Sequence, residues 1–549
     1  MSADQSNQFD ALIVGAGVAG LYALHRLRDT LGMRVRVVEA GDGVGGTWYW
    51  NRYPGCRCDV ESLEYSYSFD PKLEQEWSWP ERYGNQGEIL EYLEHVAERF
   101  DLKRDIQFET RIASARYDRN ANRWTLTSEA GETYSAPICI MATGNLSVPR
   151  VPDFPGLDDF KGETYHTGLW PHEGVDFTGK QVAVIGTGSS GVQSIPIIAR
   201  QAKSLTVFQR TANYILPARN GPLDPATETA HKAEYRARRE AAYDTPFGIA
   251  GYPPPTKSAL EATPEERRAI YDAKWQEGGS ISFLYSFTDL LTNDAANATA
   301  REYVHERIRE IVKDPTVAEL LCPNDHPIGT KRLVLDTGYY ETYNEPHVTL
   351  ANARKAPIEA LTANGLRTTE AEYAFDAIVF ATGFDAMTGA LKEIDVRTDD
   401  GRSLTADWAA GPYTMLGIMC AGFPNMFMVT GPGSPGVKSQ MILSCEQHVD
   451  WIVECLRRMA ANGEAAIEPT EEAQTEWTMH VKDVADQTLY PKAASWYMGA
   501  NIPGKPRVFM PYVGGVDRYK RTCDEVAADG YPGFTFTPAE TPALTAAGE

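Results

Sequence analysis

Apolar and polar positions fall into two registers at the start of this chain. Residues 9–14 are mostly apolar and end in Gly15-Ala-Gly17-Val-Ala-Gly20, residues 21–31 repeat apolar side chains at helical spacing, and residues 35–39 return to a strand. The order strand, glycine turn, helix, strand then recurs: 181–185 is apolar, 186–191 carries the glycines, 192–201 is helical and 205–210 is the next strand. About 170 positions separate the two units, too many for a stacked repeat, so the chain duplicates a function. Two further apolar runs rhyme, at 138–144 and 377–383, and each ends in Ala-Thr-Gly. Each is expected as a late strand of one of two separate sheets.

That pattern predicts an α/β fold of two Rossmann-like dinucleotide-binding domains, the second inserted into the first. The first would comprise residues 1–150 and 387–536, and the second 151–219 and 331–386. Residues 220–330 read as a helical insertion. There Thr263-Pro264-Glu265-Glu266 supplies a cap hydroxyl, a proline at the first helical position and a glutamate three residues after the cap. A second helix is expected over 295–313, with Tyr303, Val304, Ile308, Ile311 and Val312 on one face. The Thr-, Pro- and Ala-rich end, 537–549, is expected to be disordered.

Composition narrows the partners. The 549 residues are 43% hydrophobic and 23% charged, enough for two or three lobes. A formal net charge of -23 repels nucleic acid and anionic lipid headgroups. The polar N-terminus does not read as a secretion signal and no run is long enough to span a bilayer. The expectation is a cytoplasmic protein without nucleic-acid or membrane partners, its oligomeric state open and a monomer compatible. Eight cysteines in a chain this long are not a disulfide scaffold. Cys56 and Cys58, read as neighbours on a strand, are too close in sequence for a relaxed bridge. No metal-ligand spacing is present.

The two glycine turns carry different partners. Gly15, Gly17 and Gly20 permit a tight turn, close approach of backbone to a pyrophosphate, and close packing of helix on strand. The phosphates would sit at the helix N-terminus. Nineteen residues after Gly20 comes Glu39, whose carboxylate suits ribose hydroxyls and disfavours a 2′-phosphate. Nineteen residues after Gly191 comes Arg210. A cation there favours the 2′-phosphate of NADPH, beside the turn at Gly186, Gly188 and Gly191. The run Gly43-Val-Gly-Gly46-Thr47-Trp48-Tyr-Trp50 suits a flat ring threaded past the backbone and assigns FAD to the first site, although an aromatic run equally suits a core segment.

Phe160-Lys-Gly162-Glu-Thr-Tyr-His166-Thr-Gly-Leu-Trp170-Pro171 stands between the two units. It fits F-x-G-x-x-x-H-x-x-x-W-P at every specified position and resembles the fingerprint of type I Baeyer–Villiger monooxygenases. Trp48 to Gly55, Lys331-Arg332, Ala381-Thr-Gly-Phe-Asp385 and Ser495 to Gly504 also resemble that family, chiefly its phenylacetone and steroid branch. The resemblance covers nearly the whole chain. It implies reduction of FAD by NADPH, reaction with O2 to a C4a-peroxyflavin, and attack on a ketone carbonyl to give an ester or lactone.

A site for that chemistry must stabilise successive anions and exclude water, which would otherwise release hydrogen peroxide. The resemblance places Arg332 at the flavin face as the fixed cation, oriented by Asp59, although a Lys-Arg pair taken alone is ordinary surface. It also implies FAD contacts from Gly46, Thr47, Trp48, Asp59, Tyr65 and Met441. NADP contacts are implied from Thr187, Gly188, Ser189, Ser190, Gly191, Gln193, Arg210, Thr211, Lys331, Arg332 and Trp496. His166 is expected to couple domain movement and not to transfer a proton. The loop Pro435-Gly436-Val437-Lys438 would line the substrate pocket, and Gly436, Val437 and Lys438 depart from the family pattern there. A flavin N- or S-oxygenase is the principal alternative. A disulfide reductase lacks its redox cysteine pair, and a non-catalytic flavoprotein would not need Arg332 and Asp59.

Overall fold

The computed structural model describes residues 7–539. Ala11–Val14 (β1) is buried along its length, as a strand covered on both faces must be. Val18–His25 (α1) follows the first glycine turn, and a single π-helical turn, Arg26–Thr30, extends it. Val35–Val38 (β2), Ile106–Gln107 (β3) and Ile138–Met141 (β4) join β1 in a parallel sheet. The second unit contributes Glu163–His166 (β5), Gln181–Ile185 (β6), Ser189–Gln201 (α2), Ser204–Gln209 (β7), Val348–Asn352 (β8) and Ala377–Phe380 (β9). Its five strands run in the order β8-β7-β6-β9-β5, all parallel. The chain then returns to the first sheet through Met426–Met428 (β10), which pairs with β4. The first sheet therefore has the order β10-β4-β1-β2-β3.

Both sheets use the strand period of two in the same way. In β1, Leu12 and Val14 face a four-stranded sheet that includes Ile112–Asp118 and Arg123–Ser128, whereas Ala11 and Ile13 face the helical side. In β6, Ala183 and Ile185 pack toward the small antiparallel sheet around Leu361 and Leu366, and Val182 and Val184 face the helices. The main helical core is continuous between the two units.

Between them, six helices occupy residues 225–321. The capping box at Thr263 and Glu266 forms as the sequence predicts. Asp294–Ile311 (α3) buries Tyr303, Val304 and Ile308. Two expectations need correction. Thr537 and Pro538 belong to the strand Phe534–Pro538, which pairs antiparallel with Glu464–Pro469, because Phe534 and Phe536 pack beside Tyr531. Residues 540–549, the rest of the expected tail, lie outside the described residues, as does the N-terminal hexapeptide. Cys56 and Cys58 flank an isolated bridge between Arg57 and Asn85 and are not on a regular strand. All eight cysteines are unpaired and buried, and burial pushes every thiol up: Cys56, Cys139, Cys445, Cys455 and Cys523 to about 12, Cys322 to about 11, and Cys58 and Cys420 higher still. Among the described residues no helix is long and apolar enough to cross a membrane.

Candidate active site

The glycine turns are sterically obligatory. Gly15 has φ +104°, and a Cβ there would lie 2.6 Å from the Ala142 carbonyl oxygen. A Cβ on Gly20 would fall 1.8 Å from the Gly15 oxygen. Gly17 heads α1 without a side-chain cap, which leaves the helix N-terminus to an anion. Gly46, at φ +53°, brings its backbone against Gly17: a Cβ on Gly46 would sit 2.8 Å from the Gly17 Cα. The short helix Thr47–Trp50 follows, and Trp48 donates its indole N–H to the Tyr65 hydroxyl at 3.2 Å. Glu39 is buried beside this turn and accepts from the Ala16 and Gly41 N–H groups at 2.7 and 2.8 Å. Burial pushes its carboxyl up, against those bonds. A carboxylate has acceptor capacity beyond two bonds, so ribose hydroxyls can still be held. These features fit FAD.

The second turn is built alike but ends in cations. Gly186 has φ +113° and Gly191 closes on its oxygen, whereas a Cβ on Gly188 would meet nothing within 4 Å. The Thr187 hydroxyl donates to the Thr211 carbonyl at 2.9 Å. Arg210 is exposed just beyond β7. Burial pulls the Lys331 ammonium down; Asp325 opposes this, while Arg210 and Arg354 add to it. Arg150 is likewise lowered by burial and by Arg210. Arg354 pairs with Asp325 at 2.7 Å and donates to the Thr211 hydroxyl at 3.3 Å. Arg150 and Lys331 thus neighbour Arg210, with Arg354 beside Lys331, and this group of cations, only partly offset by Asp325, suits a phosphate monoester, so the residues present fit NADP(H). The sequence gives no signal for Arg150 or Arg354, which approach Arg210 only through the fold.

Gln193 and the fingerprint tie the units together. Gln193 accepts from the Tyr53 hydroxyl at 2.8 Å and donates to the Arg57 carbonyl at 3.1 Å, while Ser190, beside Ser189 in the first turn of α2, accepts from Thr167. Phe160 packs against the second sheet and Trp170, before Pro171, packs at a tilt beside Tyr165 and Phe177. Gly162 has no room for a Cβ, which would meet the Asp376 oxygen at 2.5 Å. His166, at the end of β5, accepts at Nδ1 from the Gly168 N–H and places Nε2 3.1 Å from both the Arg150 carbonyl and the Thr382 hydroxyl. Burial lowers its pKa, against the Arg150 hydrogen bond. A neutral imidazole so held bridges the linker and the Ala-Thr-Gly end of β9.

Asp59 and Arg332, 273 positions apart, meet in a narrow cleft. Arg332 donates Nε to Asp59 Oδ2 at 2.6 Å and Nη2 to Oδ1, a two-pronged contact that fixes the guanidinium plane. Its Nη1 donates to the Val437 carbonyl at 2.9 Å. Burial works against the Arg332 charge, but Asp59 outweighs it and the guanidinium titrates above its ordinary value. Phe247, Ile249, Ile281 and Leu284 from the helical region form an apolar wall, and Lys331 and Lys438 complete the cationic edge. The loop turns at Gly436–Lys438, where Lys438 N–H donates to the Pro435 carbonyl at 2.8 Å. Met441–Asn462 (α4) begins directly after it. Lys438 Nζ stands 4.3 Å from the Tyr490 ring centre and 4.8 Å from that of Tyr497. Trp496 is half-buried against Tyr497, ring centres 4.1 Å apart, and is not among the residues lining the cleft. Sequence reasoning missed Tyr490 and Tyr497. Only the second stood beside a motif residue.

Two parallel sheets, each with a glycine turn at an uncapped helix N-terminus, the first beside the Glu39 carboxylate and the second edged by a group of cations, define an oxidoreductase of the two-dinucleotide class. The flavin-binding monooxygenase-like family model matches residues 10–222. A Baeyer–Villiger monooxygenase of Pseudooceanicola batsensis is 42% identical over 95% of each chain. A phenazine N-monooxygenase of Lysobacter antibioticus is 41% identical over 97% of each. A steroid monooxygenase solved in its oxidised form with NADP is 52% identical, covers 97% of this chain and 100% of its own, and superimposes with a TM-score of 0.92. The chain belongs to the Baeyer–Villiger monooxygenases, and its cofactors are FAD and NADPH.

Proposed function

We propose that the cleft at Asp59 and Arg332 converts ketones, among them aryl, cyclic or steroid-like ones, to esters or lactones, and that these two residues are its catalytic pair. The observation that carries this is the two-pronged contact between them, with the third donor of Arg332 on the loop at Val437. Bound FAD, reduced by NADPH, supplies the activation of O2. Arg332 keeps a permanent charge facing the oxygen on which negative charge develops as the ketone carbonyl is attacked. Asp59 holds the plane of that charge, and its removal would leave a guanidinium without its partner. The apolar wall keeps water from the reacting centre.

Residues 1–150 and 387–536 would hold FAD through Gly15, Gly17, Gly20, Glu39 and the Gly46–Trp48 segment. Residues 151–219 and 331–386 would hold NADPH through the second turn, Arg210 and Lys331. A cytoplasmic location agrees with dependence on NADPH. The 41% identity to a phenazine N-monooxygenase favours oxygenation at nitrogen as a second reading. A panel of ketones, amines and sulfides, assayed for NADPH consumption, peroxide and products, decides between them. Ester or lactone from ketones is expected. Peroxide alone from every ketone, with oxygenated amines or sulfides, would overturn the first reading.

A further inference from the structure

Lys438 is the one side chain in the cleft whose chemistry a neutral ketone leaves unused. It forms neither an ion pair nor a side-chain hydrogen bond among the described residues; its ammonium stands against the rings of Tyr490 and Tyr497, and Arg332 and Asp59 act on it only from beyond ion-pair distance. Asp59, the carboxylate lining the same cleft, is already committed to Arg332. Lys331, Arg332 and Lys438 thus face a single lining carboxylate, in a protein whose overall charge is -23. A half-buried cation without a paired counter-charge is costly, and an electropositive cleft in an acidic molecule concentrates anions.

We propose that the preferred substrate is a ketone that also carries a carboxylate, and that Lys438 binds that carboxylate while Arg332 serves the carbonyl. This deepens the reading of the cleft as a ketone-oxidising site and rests on it. Phe247, Ile249, Ile281 and Leu284 would cover the hydrocarbon between the two polar ends. Burial, first, and then Arg332 draw the Lys438 pKa down to about 7, against Asp59. A carboxylate arriving beside it would restore the charged form.

The test uses the FAD-loaded enzyme with oxo acids of increasing length, 4-oxopentanoate, 5-oxohexanoate and 6-oxoheptanoate, each beside its methyl ester. Wild type should favour at least one acid over its ester in kcat/KM. Lys438→Met should lower that acid-to-ester ratio about tenfold or more, the loss of one charge-assisted hydrogen bond, while Lys438→Arg should recover part of it. In parallel, perturbation of the flavin absorbance by each acid gives a dissociation constant that does not depend on turnover. It should rise by a similar factor in Lys438→Met. Esters oxidised as well as the acids, with a ratio and a dissociation constant indifferent to Lys438→Met, would overturn the proposal and leave the ketone-oxidising reading intact. Tight, Lys438-dependent binding of the acids without ester product from any ketone would instead sink that reading and leave the anion site standing.

Discussion

At the scale of single residues, the cleft separates a charge held in place from a charge left free. Arg332 is clamped by Asp59 and by the Val437 carbonyl, so Arg332→Ala should lower ester formation on the order of 100- to 1000-fold, read by gas chromatography of product. Arg332→Lys should restore little, because a point charge on a flexible stem does not reproduce a planar fork. Ester yield unchanged in Arg332→Ala would remove it from the reaction. Lys438 is the free charge. Its pKa falls from 10.5 to about 7, chiefly through burial. Between those two values the unfolded chain binds more protons than the folded one, so folding stability rises with pH across that window and the ionised lysine is a liability below it. Lys438→Met should therefore raise the thermal midpoint by about 1–3 °C near pH 6, with the gain fading toward pH 10. A gain independent of pH would show that the charge is not its source. Arg210 works in a third setting, exposed beside Lys331 and Arg354. Arg210→Ala should raise KM for NADPH about tenfold or more and leave that for NADH nearly unchanged. Equal losses with both coenzymes would show that it does not read the phosphate.

At the scale of elements, the glycine turns are the most exacting parts of the fold. Gly20→Ala would drive a methyl group into the Gly15 carbonyl. The variant should purify with little flavin or collect in the insoluble fraction, and the ratio of flavin to protein absorbance measures which. Full flavin content in soluble protein would mean that the turn is more compliant than its geometry implies. The turns were legible in the sequence because a glycine pattern bounded by an apolar strand and an amphipathic helix has few other uses. Limits of elements were less so: α1 begins at Val18 and passes into a π-helical turn, and the C-terminal strand reaches Pro538. Long-range pairing with residues 464–469 decides the latter, and no local composition announces it. In the site, the meeting of Asp59 with Arg332 was implied by resemblance alone. Nothing local in either segment points to the other. Arg150, Arg354 and Tyr490 were invisible for the same reason. Lys438 stood out in the sequence as a departure, but its unpaired state and its two aromatic neighbours needed the fold.

At the scale of the whole molecule, one continuous core lies between the two sheets, and the eight cysteines are spread through the buried parts of the chain. An oxygenase that loses its activated oxygen to water generates hydrogen peroxide in its own interior. The thiolate form of cysteine attacks peroxide, displacing hydroxide to give a sulfenic acid, and the fraction present at neutral pH falls tenfold for each unit by which a thiol pKa rises. With no thiol exposed and each held at about 11 or above, the chain offers its by-product almost no sulfur nucleophile. Titration of the native enzyme with a thiol-reactive disulfide should report fewer than about one reactive group until denaturant is added. Prolonged uncoupled turnover should therefore inactivate the enzyme through other side chains, leaving all eight cysteines reduced by mass spectrometry, and any cysteine found oxidised early would mark a place where the core opens during the catalytic cycle.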